Sequence, residues 1–100
     1  MSINKKYLKS KPICKVTFRV LKSECNAADK VELAGDFNDW QQAPMKKLKS
    51  GDFSLTLDLE KDKRYQFRYL LDEETWENDW AADAYVPSPM SYEDNSVVIV

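Results

Sequence analysis

Apolar and polar side chains alternate with a period of two through several segments of the chain. The alternation is clearest in residues 14–20, 52–60 and 64–72. A period of two places successive side chains on opposite faces of a β-strand, so each segment predicts a strand with one buried face. Two shorter segments, residues 30–34 and 97–100, predict further strands.

Turn-forming residues separate these predicted strands. Gly51 lies in a Ser-Gly-Asp sequence that is typical of a tight hairpin, and Pro87 and Pro89 predict an extended loop without regular pairing. Short strands joined by turns within 100 residues predict one all-β domain, an antiparallel β-sandwich. We expect this domain to span residues 13–100, after an N-terminal arm over residues 1–12 that is either a brief helix or frayed.

The composition excludes several classes of function. A net charge of −2 argues against nucleic acid as a partner. No apolar run approaches the roughly 20 residues that a membrane span needs, and no secretion signal is evident, so we expect a cytoplasmic protein that does not bind membranes. The sequence has no histidine, the commonest general base and metal ligand. We therefore predict a protein that is not an enzyme and that has no cofactor and no metal site.

The two cysteines and the uneven charge each leave alternatives open. Cys14 and Cys25 are too few for a disulfide scaffold, so reduced thiols with Cys14 in the core are the simplest prediction, although a bridge remains possible. All 15 Lys and Arg residues lie at or before Arg68. The acidic residues beyond it either neutralise the basic part or form an acidic face over residues 72–83. Solvated carboxylates are favoured there over a Ca²⁺ site.

The segment from Gly35 to Trp40 is the most informative in the chain. A strand stops at Gly35, which suggests a bulge or a positive φ. We expect Phe37 to fold back onto the core and Asn38 to hold a turn. Trp40 has polar neighbours and is predicted to be exposed, with capping of the sandwich end as the alternative. A further tryptophan, Trp80, is expected to pack against the loop after the fourth strand, as a core or capping residue.

The Gly-Asp-Phe-Asn-Asp-Trp sequence of residues 35–40 resembles the G-x-F-N-x-W signature of glycogen-binding domains. These form carbohydrate-binding module family 48, are related to early-set domains of isoamylases and branching enzymes, and include the module in the β subunit of AMP-activated protein kinase. The resemblance continues through residues 65–72, Trp76 and Asn95. It implies an immunoglobulin-like early-set fold for the predicted sandwich.

The resemblance also implies a sugar-binding site formed by Trp40, Arg68, Trp76 and Asn95. We therefore expect Trp40 and Trp76 both to be exposed on one surface. Indole rings can stack on the apolar faces of glucose, while guanidinium and amide groups can bond its hydroxyls. Met90 and Tyr92 are candidates to line the same groove. Arg68 stands where the binding members of the family usually have lysine.

Two functions are compatible with this pattern. The first is non-catalytic binding of an α-1,4-glucan such as glycogen or a starch-like polysaccharide. The alternative is a protein-interaction domain on the same scaffold that associates with glycogen-metabolising enzymes without binding sugar. A glycosidase with paired carboxylates is a distant third, because the acidic residues lie on predicted loops.

Overall fold

A computed structural model describes residues 1–89 and 93–100. Over these residues the chain forms ten β-strands and two short 3₁₀ helices, Lys22–Glu24 and Asp36–Asn38. No helix among them is long and apolar enough to cross a membrane. The strands, in chain order, are β1 Ser2–Tyr7, β2 Ile13–Val20, β3 Val31–Gly35, β4 Ala43–Pro44, β5 Lys46–Lys47, β6 Phe53–Glu60, β7 Arg64–Leu71, β8 Thr75–Glu77, β9 Ala84–Pro87 and β10 Asp94–Ile99.

The strands form two antiparallel sheets that pack face to face. One sheet has the order β1-β2-β6-β5, and the other has the order β4-β3-β7-β10-β9 with β8 paired to β7. Strand β7 pairs with β3 along one edge, and with β10 and β8 along the other. The predicted all-β sandwich is therefore confirmed, and its architecture is consistent with the immunoglobulin-like early-set fold.

Alternating side chains of the two sheets form the core between them. In β2, Val16, Phe18 and Val20 are fully buried, as the period of two predicts. Phe67 of β7 meets Phe18 edge-on, with ring centroids 5.2 Å apart. The rings of Phe67 and Phe18 therefore join the two sheets, and the residues on either side of Phe67 in β7 face away from the core.

Both cysteines are buried as free thiols. Cys14 alternates with the core residues of β2, as predicted, and Cys25 follows the first 3₁₀ helix. The Cys25 thiol donates to the carbonyl of Lys22 over 3.3 Å. The two thiols are not bridged, so the sandwich forms without a covalent cross-link between them.

Two segments that were predicted to be irregular are strands. The N-terminal segment, expected as a helix or a frayed arm, forms β1 and pairs with β2 from Ser2 to Tyr7. The segment before Pro89 forms β9, which pairs with β10 up to Pro87. Pro87 is the last residue of an edge strand, where a missing N–H breaks little of the ladder.

Candidate functional site

A groove of about 460 Å³ lies on the outer face of the six-stranded sheet. Because Phe67 points into the core, its neighbours Gln66 and Arg68 point to this outer face. Trp76 of β8 and Asn95 of β10 join them from the two strands that pair along the same edge of β7. The residues that line the groove are Asp36, Trp40, Gln66, Arg68, Trp76, Ser88, Pro89 and Asn95.

The structure brings together all four residues that the sequence resemblance selected. Trp40, Arg68, Trp76 and Asn95 come from four separate stretches of the chain, and all line this groove. Their role in sugar binding stays a prediction. The other two candidates, Met90 and Tyr92, lie outside the described residues.

The turn that presents Trp40 is closed by hydrogen bonds within the segment. The Asn38 side chain accepts from the Gly35 N–H at 3.0 Å and donates to the Leu33 carbonyl at 3.3 Å. The Trp40 N–H donates to the Gly35 carbonyl at 2.9 Å. Asn38 thus holds the turn as predicted, and the chain can reverse directly after β3.

Phe37 anchors this turn to the core. Its ring lies 5.7 Å from that of Phe18, 6.0 Å from that of Tyr65 and 6.4 Å from that of Phe67, centroid to centroid. The prediction that Phe37 folds back is confirmed. Phe37 is therefore held by the sandwich, while Asp36 in the same three-residue helix lines the groove.

The φ of Gly35 is −172°, which is ordinary extended backbone, so its backbone conformation does not require glycine. Glycine is needed here because strand β7 and Phe37 approach the Cα too closely for a side chain. Gly35 continues the β3–β7 ladder in register opposite Phe67, so the expected bulge or positive φ was wrong. A Cβ at this position would lie 2.5 Å from the Gln66 carbonyl oxygen, 2.7 Å from the Phe67 Cβ and 2.9 Å from the Phe37 Cζ. Any larger residue would push the turn away from β7.

The exposed fractions of the three tryptophans test the predictions made for them. Trp40 and Trp76 are 37% and 39% exposed on the same groove, which confirms the predicted exposure. Trp80 is 59% exposed, so it is not a core residue. The preceding Asp79 occupies the buried position instead, because its carboxylate accepts from the Tyr69 hydroxyl at 2.7 Å and from the Ala81 N–H at 2.7 Å.

Arg68 lies on the predicted face of β7 but is covered. Only 8% of the residue is exposed, and its Nη2 donates to the Glu93 carbonyl at 3.0 Å. Glu93, directly before β10, therefore holds the guanidinium, a contact that sequence alternation could not indicate. Arg68 nevertheless lines the groove.

Four groove residues were not predicted for the site from the sequence, namely Asp36, Gln66, Ser88 and Pro89. Gln66 accepts from the Asn95 amide at 2.9 Å, and its position two residues before Arg68 on an alternating strand was the signal for it. Asp36 lies inside the recognised motif. Its carboxylate accepts from the Trp40 indole N–H at 2.9 Å and from the Gln66 backbone N–H at 2.8 Å.

The acidic segment is largely used in structural contacts. The Asp72 carboxylate accepts from the backbone N–H groups of Asp29 and Lys30, while Glu73 pairs with Lys30 at 3.0 Å. Asp83 accepts from the backbone N–H of Ile99. No cluster of carboxylates, cysteines or histidines suited to a metal occurs in residues 1–89 and 93–100.

Part of the late acidic segment is also neutralised by the early basic one. Lys5 of β1 lies 2.6 Å from the Asp83 carboxylate. Burial raises the pKa of Asp83, but the Ile99 N–H and Lys5 outweigh it and bring the pKa below its ordinary value. The expected mutual neutralisation therefore operates at Asp83 and at the Lys30–Glu73 pair.

One comparison with known proteins bears on this groove. A family model described as the glycogen recognition site of AMP-activated protein kinase matches residues 22–88. The match covers about two thirds of the chain and includes Trp40, Arg68 and Trp76. No curated protein matches the chain.

Proposed function

The chain belongs to the family of the glycogen recognition site of AMP-activated protein kinase, and we propose that it binds α-1,4-glucan without catalysis through the groove described above. The observation that carries the proposal is the convergence of two exposed indoles with amide and guanidinium groups on one surface. Glycogen is the glucan that we expect it to bind.

The two indoles supply the apolar contacts of this binding mode. Each glucose ring has a face of C–H groups that can stack on an aromatic ring. Trp40 and Trp76 reach the groove from opposite sides of β7, since they follow β3 and lie on β8. A chain of linked glucose units can therefore contact both rings at once.

The Gln66–Asn95 pair supplies complementary polar groups. The Asn95 amide nitrogen donates to the Gln66 carbonyl oxygen, which leaves the Asn95 oxygen as an acceptor and the Gln66 nitrogen as a donor. A sugar hydroxyl can both donate and accept, so one such pair suits neighbouring hydroxyls. We expect Arg68 to donate to the sugar as well, within the limits set by its contact with Glu93.

The expected affinity is weak. Two stacking contacts contribute on the order of 1 kcal/mol each beyond area burial, and hydrogen bonds add about 0.5–1.5 kcal/mol net each. Ordering a flexible oligosaccharide subtracts from this sum. A dissociation constant on the order of 0.01–1 mM follows for one short chain. Retention on a glycogen particle would rise where several domains are displayed together.

Titration with maltoheptaose, followed by tryptophan fluorescence, tests the proposal. Trp40→Ala and Trp76→Ala should each abolish measurable binding while the circular dichroism spectrum stays native, because both rings are partly exposed. Trp80→Ala is the matched control, since it removes an equally large and more exposed indole that does not line the groove. The wild type and this control should bind alike.

Lack of binding by the wild type at about 10 mM sugar would contradict the proposal. It would favour the alternative in which the scaffold serves protein association. Incubation with glycogen should release no reducing sugar above a protein-free blank. The absence of histidine from the sequence supports this non-catalytic assignment, since it removes the commonest general acid–base group.

A further inference from the structure

Asp36 connects the Trp40 ring to the central strand of the groove. One carboxylate oxygen accepts from the Trp40 indole N–H at 2.9 Å, and the other accepts from the Gln66 backbone N–H at 2.8 Å. We propose that Asp36 is a positioning residue that fixes the Trp40 indole in its sugar-stacking orientation before the glucan arrives. The inference rests on the proposed function, because it assigns the stacking role to Trp40.

Packing covers Trp40 only in part, so a hydrogen bond to its ring adds a restraint that packing does not supply. The residue is 37% exposed, and it follows Asp39 in left-handed backbone, with φ values of 60° and 55°. This conformation is unfavourable for residues with a Cβ and persists only where other contacts enforce it. The backbone bond from Trp40 to Gly35 fixes the chain, while the bond to Asp36 fixes the ring.

The two hydrogen bonds of the Asp36 carboxylate restrain the Trp40 ring firmly. Hydrogen bonds to an ionised carboxylate are stronger than those between neutral groups. The second bond ends on the backbone of β7, which is itself paired on both edges. The indole is therefore tied to a sheet through two consecutive hydrogen bonds.

The same contact determines what Trp40 offers to a sugar. The single N–H donor of its indole ring is already bonded to Asp36, so the ring presents an apolar face to the groove. The Trp76 indole N–H has no hydrogen-bond partner within residues 1–89 and 93–100. The two rings thus differ: Trp40 is oriented in advance, whereas Trp76 can adjust to the ligand and donate to it.

The variant Asp36→Asn tests the assignment with little change in size. Asparagine offers one acceptor oxygen, and its amide group is a donor that cannot receive the second N–H. In nitrogen–proton correlation spectra of the sugar-free domain, the Trp40 indole resonance should move toward that of an exposed indole and exchange faster with water. Maltoheptaose should bind about 3- to 10-fold more weakly, as expected when one side chain must be ordered on binding.

Asp39→Asn is the matched control for the change in charge. Asp39 is also exposed and lies in the same turn, and its side chain forms no hydrogen bond or ion pair with residues 1–89 and 93–100. We expect wild-type affinity and an unmoved Trp40 resonance in this variant. A loss equal to that of Asp36→Asn would show that the charge matters and the hydrogen bond does not, which would overturn the assignment.

A second background separates positioning from a general loss of stability. Trp40→Phe keeps an aromatic ring but has no N–H, so Asp36→Asn should have little further effect on affinity in that background. An undiminished effect there, or an unchanged Trp40 resonance in the single variant, would refute the proposal. If the wild type binds no glucan, the proposed function fails by itself, and the resonance alone then decides whether Asp36 holds the ring.

Discussion

Replacement of Gly35 by alanine should destabilise the domain through crowding alone. The backbone at this position is extended and suits any residue, so no conformational penalty applies. The added Cβ would meet three atoms below 3.0 Å, one of which is the Gln66 carbonyl oxygen in the central strand. Overpacking usually costs about 1–3 kcal/mol, and we expect the upper end because backbone on both sides must move.

The measurements are urea unfolding and thermal unfolding of wild type and variant, monitored by fluorescence and circular dichroism. A loss near 3 kcal/mol should lower the melting temperature by more than about 10 °C in a domain of this size. Gly51→Ala is the comparison, because Gly51 has a φ of +92° but its nearest contact is the flexible Lys22 side chain. That variant should cost only about 1 kcal/mol. If Gly51→Ala proves the costlier change, crowding is not what requires glycine at position 35.

Two further predictions concern the buried hydroxyl of Tyr69 and the β7–β8 turn. Burial, together with the nearby Asp79 carboxylate, raises the pKa of Tyr69 well above its ordinary value of 10.0. Unfolded tyrosine loses its proton first, so stability should fall as pH rises above about 10, by up to about 1.4 kcal/mol per pH unit. Urea midpoints between pH 9 and 11 should fall less steeply for Tyr69→Phe, and equal slopes would contradict the reasoning. Glu73 has a φ of 57°, so Glu73→Gly should exceed Glu73→Ala in stability by about 1 kcal/mol, since both lose the Lys30 pair and only glycine relieves the backbone. Thermal unfolding of both variants measures this difference, and alanine at least as stable as glycine would refute it.

The strands that could be predicted are those in which alternation is uninterrupted. Strands β2, β6 and β7 begin and end within one residue of their predicted limits. Strand β1 was missed because Lys5 stands where an apolar residue would complete the alternation. Its ammonium group pairs with Asp83 from the far end of the chain, a contact that no local pattern reveals. Strand β10 begins at Asp94, three residues before its predicted start. The prediction missed these residues because they are polar, although Asn95 and Ser96 are buried.

The candidate site was predictable from a motif, while its supporting contacts were not. Trp40 and Trp76 stood out as aromatic residues with polar neighbours. Alternation placed Arg68 on the correct face but could not show that its guanidinium is bonded to Glu93. Asp36 was not singled out, because its role depends on a hydrogen bond from the backbone of Gln66, which lies thirty residues away.

The position of β7 at the junction of three strand pairings has a consequence for how the groove responds to denaturing conditions. The strand carries Gln66 and Arg68 on one face and Phe67 and Tyr69 on the other. Separating it from the sheet would break its pairing with β3, β8 and β10 together, so its amide hydrogens should exchange with solvent only through global unfolding. A binding surface built on mobile loops would lose its shape well before the fold is lost. Here glucan binding and the native fold should disappear at the same urea concentration.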